Sequence, residues 1–401
     1  MAPGHSADPG TGSLILHLVL GVCVALLLAE VTGAALLADW MFLHRVLNST
    51  PPSAYFLLIL ALLPTRWTLR IVRLLAATAA LLVVLAMILD AAELSQSPLP
   101  SAGCRNDGSG YALVTGASSG IGQDIARELL NLTNCNLLLV ARRKDRLQHF
   151  AAKHSTGARA VEVVSMDLAM DGAARELHNI LVAADLAEKI DVLVLNAGAA
   201  LSGSFVDADL DSLTSSMHLN MVSPMQLARL IGQDMKVRNQ HESTEGADLT
   251  GPTQTGHIVL VSSIASMSPG APHVAVYGAS KAFLTSLGRA LHQELAPAGV
   301  GVTVSMPGAT ATEFSSVMGD EAALIFRIPA FVSKSETVAR ETVLAMLRRD
   351  GEHVIGPINW LYTAMGPLLP ASVSRHVSEL AFRPPSHAQE LMSRVLRLAK
   401  L

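Results

Sequence analysis

The sequence predicts an α/β fold: a doubly wound parallel sheet preceded by N-terminal transmembrane helices. Three observations lead to this prediction. Long apolar runs occupy the first part of the chain, a short stretch rich in Ser, Pro and Gly follows, and apolar segments of strand length then alternate with amphipathic segments. Near-continuous apolar strands that alternate with helices are typical of a parallel sheet covered on both faces.

Two apolar runs near the N-terminus are long enough to span a bilayer, which needs roughly 20 apolar residues. They extend from Ser13 to Leu43 and from Ile71 to Ala92. Segment 53–64 between them is either a re-entrant or interfacial piece or a third span, so orientation stays open. A cleaved signal peptide competes for the first run, but no basic region precedes that run. We therefore predict a membrane protein, multi-pass or anchored, with no signal for one organelle.

Shifts in composition divide the chain into four regions. They are a membrane-anchor region over 1–94, a linker over 95–109, a folded domain over 110–360 and a C-terminal helical extension over 361–401. Within the domain, two long helices are predicted over 210–237 and 275–296, and a polar surface loop over 239–256. The domain is long enough to bury a large core.

The net charge and the cysteine positions bear on whether the chain binds nucleic acid or a metal ion. The net charge of −4 gives no support for a nucleic-acid partner. Cys23, Cys104 and Cys135 lie far apart and show neither metal-ligand spacing nor a disulfide framework, so no metal site is predicted. Triplets of the N-glycosylation type occur at Asn48 and Asn131, but such triplets also arise by chance.

A glycine-rich stretch, TGASSGIG at 115–122, lies where the first strand of the domain meets its first helix. Gly116, Gly120 and Gly122 permit a tight turn and close backbone approach to a pyrophosphate. The helix N-terminus adds free N–H groups and a positive dipole end. A structural turn without a ligand is the alternative, but the position between strand and helix favours a dinucleotide site.

Further motifs follow in order: NAG at 196–198, YGASK at 277–281 and PGATAT at 307–312. Together with the glycine-rich stretch, they resemble those of the short-chain dehydrogenase/reductase family over roughly 110–360. The resemblance implies a Rossmann-type sheet and an oxidoreductase that interconverts a carbonyl and a secondary alcohol. The alternative is a non-catalytic, cofactor-binding membrane scaffold. Another residue in place of Tyr277 or Lys281 would favour that alternative, but both residues are present.

The resemblance implies a catalytic set of four residues. Tyr277 would exchange a proton with the substrate oxygen, and Lys281, one helical turn further on, would lower the phenol pKa and hold the nicotinamide ribose. A serine at the end of HIVLVSS would bind the substrate oxygen. Ser263 precedes Tyr277 by one residue more than in the family pattern, so Ser262 and Ser263 are both candidates. Motif position favours Ser263. Asn220 would hold a proton-relay water.

The resemblance also implies how a dinucleotide would be held. Ala141 and Arg142 end the second strand, where Arg suits the 2′-phosphate of NADP and an acidic residue would suit NAD. Arg143 could share that contact. The cofactor-binding residues implied are Gly116, Ser118, Ser119, Gly120, Ile121, Gly122, Arg142, Asp167, Asn196, Tyr277, Lys281 and Thr312.

Segment 313–332 follows the last motif and would form a substrate lid by the same resemblance. It contains Leu324, Ile325, Phe326, Ile328 and Phe331, which favour an apolar substrate of the lipid, steroid or retinoid type; ordinary core packing is the equal alternative. The predicted partners are this small molecule and the membrane, and a homo-oligomer stays open.

Overall fold

The computed structural model describes residues 103–155, 159–244, 256–314, 318, 324–327, 331–366 and 371–383, together with Leu74 and Thr78. The elements in chain order are β1 (Tyr111–Thr115), α1 (Gly120–Leu132), β2 (Asn136–Ala141), α2 (Lys144–His154), β3 (Val161–Ser165), α3 (Ala173–Ala183), β4 (Ile190–Leu195), α4 (Leu210–Met217), α5 (Ser223–Thr244), β5 (His257–Val261), α6 (Ala275–Leu295), β6 (Gly301–Met306), β7 (Thr310–Ala311), β8 (Ser333–Lys334), α7 (Ser335–Arg348), β9 (Glu352–Val354), α8 (Pro357–Met365) and α9 (Ala371–Phe382).

Seven of these strands form one parallel sheet in the order β3-β2-β1-β4-β5-β6-β9. The order reverses between β1 and β4, as in a doubly wound Rossmann-type sheet. Strands β2 and β4 are buried along their whole length, because helices cover both faces of the sheet. The predicted α/β fold is therefore confirmed.

Each face of the sheet carries its own apolar core. On one face, Ile125 of α1 and Val343 of α7 pack with alternate residues of the strands. On the other, Leu177 of α3, Leu227 of α5 and Leu284 of α6 pack with the remaining alternate residues. Successive strand residues point to opposite faces, so a strand that is buried on both faces is apolar along nearly all of its length.

One predicted helix end differs in the structure, and one helix crosses a predicted domain boundary. Helix α5 continues to Thr244, into the region predicted as a polar loop. Asn239 anchors this extension, since its Nδ2 donates a hydrogen bond to the carbonyl oxygen of Ala298 at 2.9 Å. Helix α8 runs through the predicted boundary at residue 360, so the folded domain and the C-terminal extension share a helix.

A disulfide joins Cys104 to Cys135, with 5.2 Å between their Cα atoms, which corrects the expectation of no disulfide framework. Both residues are buried, at 4% and 0% exposure. The segment before β1 is also held by Arg105, whose Nη2 lies 2.8 Å from a carboxylate oxygen of buried Asp191. These contacts bring two cysteines that are 31 residues apart into one place.

No helix among the described residues has both the length and the hydropathy that crossing a membrane requires. The two apolar runs predicted as spans lie outside the described residues, apart from Leu74 and Thr78.

Removal of the disulfide should destabilise the domain. A bond that closes a loop of 31 residues restricts the unfolded chain, and chain-entropy arguments give a stabilisation of about 3–4 kcal/mol for such a loop. We expect the double variant Cys104→Ser/Cys135→Ser to lose about that much free energy of unfolding in urea titrations. Reductant should destabilise the wild-type protein similarly and leave the variant unchanged; an equal response of both would contradict the cross-link.

Candidate active site

A cavity of ≈ 320 Å³ lies at the carboxyl ends of the central strands, where the strand order reverses. In open α/β sheets the crevice at such a reversal is the usual place for a ligand. The cavity wall contains all the residues predicted from the sequence to bind a cofactor, and it contains Ser263. Asn220 does not line the cavity but lies just behind its wall.

The glycine-rich turn after β1 has the shape of a pyrophosphate cradle. Gly116 adopts a φ of +69°, in the left-handed region. A Cβ atom on Gly122 would lie only 2.3 Å from Nδ2 of Asn196, so no larger residue fits there. Ser119, the N-cap of α1, makes no side-chain capping bond, which leaves the helix N-terminus available to an anion. Thr312 faces this N-terminus, about 3 Å from where a Cβ on Gly120 would lie.

Asn196 fastens the end of β4 to the end of β1. Its Nδ2 donates to the carbonyl oxygen of Thr115 at 3.0 Å, and its backbone N–H donates to the Thr115 hydroxyl at 3.0 Å. The same hydroxyl accepts the N–H of Ala197 at 3.1 Å and donates to the carbonyl oxygen of Val194. This network fixes the cavity floor at the point where the sheet reverses.

Tyr277 and Lys281 lie on the face of α6 that looks into the cavity. The Lys281 side chain is buried, and its Nζ lies 5.7 Å from the centre of the Tyr277 ring and donates to the carbonyl oxygen of Val261 at 2.8 Å. Burial lowers the pKa of Lys281 to about 8. Loss of water around the phenol raises the pKa of Tyr277 to about 12, an effect that a hydrogen bond with Ser263 opposes.

The structure separates the two serine candidates. Both serines line the cavity, but only Ser263 interacts with Tyr277, whose pKa it lowers. The hydroxyl of Ser262 instead donates to the carbonyl oxygen of Lys281 at 2.9 Å and lies 2.7 Å from the Thr285 hydroxyl. Ser263 is therefore the serine that acts on the tyrosine, whereas Ser262 fastens α6 to the end of β5.

Asn220 lies in a π-helical turn, His218–Val222, between α4 and α5, and is fully buried. Its Oδ1 accepts the N–H of Ala199 at 2.9 Å, and its Nδ2 donates to the carbonyl oxygen of Ala199 at 2.7 Å and to the Ser280 hydroxyl at 3.2 Å. A π turn adds one residue to the helix and often occurs at functional sites. Asn220 thus joins the loop after β4 to α6, next to Lys281.

After the second strand, Arg142 and Arg143 both line the cavity but make different contacts. Arg142 is 70% exposed and lies 3.6 Å from Asp167. Arg143 instead donates from Nε and Nη2 to the Ser118 hydroxyl, at 3.1 and 2.9 Å, within the glycine-rich turn. Glu313 pairs with Arg143 at 2.8 Å and with Arg146 at 2.7 Å, and these bonds hold the pKa of the Glu313 carboxyl below its ordinary value.

The far end of the cavity is apolar, and several of its residues were missed from sequence. Ile325 and Phe326, from the segment read as either a substrate lid or core, line the cavity. Phe331 is 40% exposed, and Ile328 lies outside the described residues. Phe314, Met318 and Phe382 complete the wall. The Phe314 ring lies 5.5 Å from the Tyr277 ring. Phe382 belongs to α9, in the region predicted as a C-terminal extension. The only sequence feature that could have indicated its place in the cavity wall is an aromatic residue in an amphipathic segment.

Comparison with known proteins agrees with this geometry. The family profile described as short chain dehydrogenase matches residues 110–322, more than half of the 401-residue chain. A ketoacyl reductase of Nostoc is 29% identical over 272 residues, which cover 66% of this chain and 86% of that protein. The 3-ketodihydrosphingosine reductase of Mus musculus is 29% identical over 303 residues, which cover 73% of this chain and 83% of that protein.

Solved structures share the fold of the described domain. A short-chain dehydrogenase from Sphingobium yanoikuyae, in complex with NADPH, superposes with a TM-score of 0.52 at 28% sequence identity. The match covers 71% of this chain and 95% of that chain.

Replacement of Lys281 by methionine should stabilise the fold at neutral pH. The folded-state pKa of about 8 lies below the unfolded value of 10.5, so below pH 8 the ammonium is charged in both states and its burial opposes folding. We expect Lys281→Met to raise the free energy of unfolding by roughly 1–3 kcal/mol at pH 7, net of the lost bond to Val261.

The gain should shrink as pH rises from about 8 to 10.5, because the unfolded wild-type chain then binds more protons than the folded one. Urea titrations at pH 7 and pH 10 would measure it. Lys153→Met, at an exposed position on α2, serves as the control. A gain that does not depend on pH would contradict a buried charge as its cause.

Proposed function

Because the chain belongs to the short-chain dehydrogenase family and is therefore an NAD(P)-dependent oxidoreductase, we propose that it reduces a ketone on an apolar, lipid-like substrate with NADPH. The observation that carries this proposal is the meeting of Ser263, Tyr277 and Lys281 in one cavity whose far wall is apolar. A non-catalytic scaffold would not require this meeting.

The residues at the glycine-rich turn fit a dinucleotide. The close contact between Gly122 and Asn196 and the uncapped N-terminus of α1 leave space and N–H groups for a pyrophosphate. Asp167 and Thr312 lie along the same wall and would hold the adenine and carboxamide ends. When bound, the reduced nicotinamide supplies a hydride to the carbonyl carbon.

The chain's own residues would manage the proton. Tyr277 donates its phenolic proton to the carbonyl oxygen as negative charge develops there, and Ser263 donates a hydrogen bond to the same oxygen. Lys281, protonated at neutral pH with a pKa of about 8, stabilises the phenolate that Tyr277 leaves. Asn220 holds the Ala199 loop against α6 beside this ammonium, in position for a relay to solvent.

The arginine pair supports NADP over NAD. Arg143 already bonds to Ser118 of the phosphate cradle, and the second strand ends in Ala141 without a carboxylate. A 2′-phosphate at this place would receive charge-assisted bonds from Arg143, with Arg142 at the outer rim. Glu313 would then have to share or release Arg143.

The apolar wall supports a lipid-like substrate. Phe314, Met318, Phe326 and Phe382 present aromatic and thioether surface beside Tyr277. The names of the Nostoc and mouse relatives specify keto compounds, a ketoacyl group and 3-ketodihydrosphingosine. A ketone carried on a long alkyl chain matches both the proton-donating residues and this wall.

The apolar runs in 1–94 support a membrane location for the enzyme, which would place it close to such substrates. Apolar lipids are concentrated in the bilayer, so an anchored reductase need not wait for them to dissolve. A homo-oligomer stays a prediction.

Loss of the Tyr277 hydroxyl should abolish turnover. We expect Tyr277→Phe to retain cofactor affinity and reduce kcat by at least about 10²-fold, because general acid catalysis contributes that much or more. The assay would follow NADPH consumption with a panel of 3-keto compounds of increasing chain length and with polar keto sugars as comparison.

Tyr111→Phe is the matched control, since the hydroxyl of Tyr111 bonds to Glu162 at the opposite edge of the sheet. Near-normal turnover in Tyr277→Phe would exclude this residue as the acid. Preference for the keto sugars would overturn the substrate class and leave the reductase chemistry in place.

Loss of Arg143 should change cofactor preference. One charge-assisted hydrogen bond contributes about 1.5–3 kcal/mol, so Arg143→Ala should weaken NADPH binding about ten- to a hundredfold relative to NADH. Arg142→Ala should have the smaller effect, because Arg142 points to the rim and to Asp167. Fluorescence titrations of both cofactors with both variants would measure this. Equal losses for NADPH and NADH would contradict a 2′-phosphate site at Arg143.

A further inference from the structure

The disulfide between Cys104 and Cys135 carries information about the compartment of the domain. Disulfides form and persist in oxidising compartments such as the secretory lumen, and they are rare in the cytosol. Both sulfur-bearing residues are buried in the domain core, so the bond belongs to the folded interior. The domain is therefore expected to fold where two thiols can pass two electrons and two protons to a disulfide-donating oxidoreductase.

A glycosylation triplet lies next to this bond. Asn131, Leu132 and Thr133 match the pattern N-x-[ST] and end two residues before Cys135. Asn131 is exposed on the last turn of α1, and its Nδ2 makes a surface hydrogen bond to Glu128 at 3.2 Å. Thr133 is buried, with its hydroxyl bonded to the carbonyl oxygen of Leu129. A sugar on Asn131 would thus extend into solvent without disturbing the core.

The positions of the arginines around the apolar runs also favour a domain that faces the secretory lumen. The segment between the runs contains Arg45, Arg66 and Arg70, whereas the linker after the second run contains Arg105 alone. Cytoplasmic loops are the ones enriched in Lys and Arg. If the two long runs are the two spans, this segment faces the cytoplasm and the domain faces the opposite side.

We propose that the domain faces the oxidising, glycosylating lumen and carries an N-linked glycan on Asn131, an inference that rests on the membrane anchor of the proposed function. In the modification, Nδ2 of Asn131 forms a bond to the anomeric carbon of an oligosaccharide and loses a proton. The bond from that carbon to a lipid-linked pyrophosphate breaks, and the lipid pyrophosphate leaves.

The experiment is translation of the full-length chain in the presence of secretory-pathway microsomes. Three readouts follow: mobility before and after peptide N-glycosidase, alkylation of cysteines in denaturant without reductant, and retention in the membrane pellet after carbonate. We expect a glycosidase-sensitive form that Asn131→Gln removes, and Cys104 and Cys135 blocked to alkylation. Thr133→Ser, which keeps the triplet and the hydroxyl, should be glycosylated, and Asn48→Gln should leave the Asn131 glycan in place.

An unmodified Asn131 together with reactive Cys104 and Cys135 would overturn the proposal, as would a glycan that persists in Asn131→Gln. An unmodified Asn131 with blocked cysteines would also overturn the assigned site. The carbonate step tests the anchor separately. A glycosylated chain that carbonate releases would support the lumenal location of the domain and contradict the membrane-spanning anchor. Ketone reduction is assayed independently, so loss of either conclusion leaves the other measurable.

Discussion

Burial of one ammonium group, that of Lys281, is the constraint on which the site depends. Its Nζ is held by the carbonyl oxygen of Val261 at the end of β5, which requires α6 to lie close against the sheet. Ser262 secures that approach from the strand and Asn220 from the neighbouring helix, through Ser280. The same packing leaves Tyr277 partly buried on the cavity wall beside the ammonium. In the proposed reaction, the lysine and the bound cofactor would stabilise charge on the phenolate, because charges attract more strongly where less water surrounds them.

The fold follows from sequence because a parallel sheet leaves a simple pattern. Strands such as β2 and β4 are buried on both faces and appear in the sequence as near-continuous apolar runs, and each is followed by a helix. The site follows for a related reason: the carboxyl ends of parallel strands share one edge. Gly116, Asn196 and Ser263 each come at the end of a strand, so their meeting in the cavity could be predicted.

Other features depend on three-dimensional positions that no local pattern encodes. The choice between Ser262 and Ser263 is decided by how the chain leaves β5, and the pairing of Cys104 with Cys135 depends on how the segment before β1 folds back. Phe382 reaches the cavity from a helix late in the chain. Arg143, and not Arg142, bonds to Ser118 of the cradle because the chain turns at the start of α2, which directs the second arginine inward.

The cluster of Arg143, Glu313 and Arg146 connects the two sides of the cleft, and it lies open to solvent, with side chains 41–49% exposed. Added salt weakens ion pairs between such exposed charges. Dissolved salt can therefore loosen this cluster without entering the cleft. Where opening of this cluster limits dinucleotide exchange, the exchange rate should rise with ionic strength. Salt should at the same time weaken the equilibrium attraction of the arginines for the phosphate.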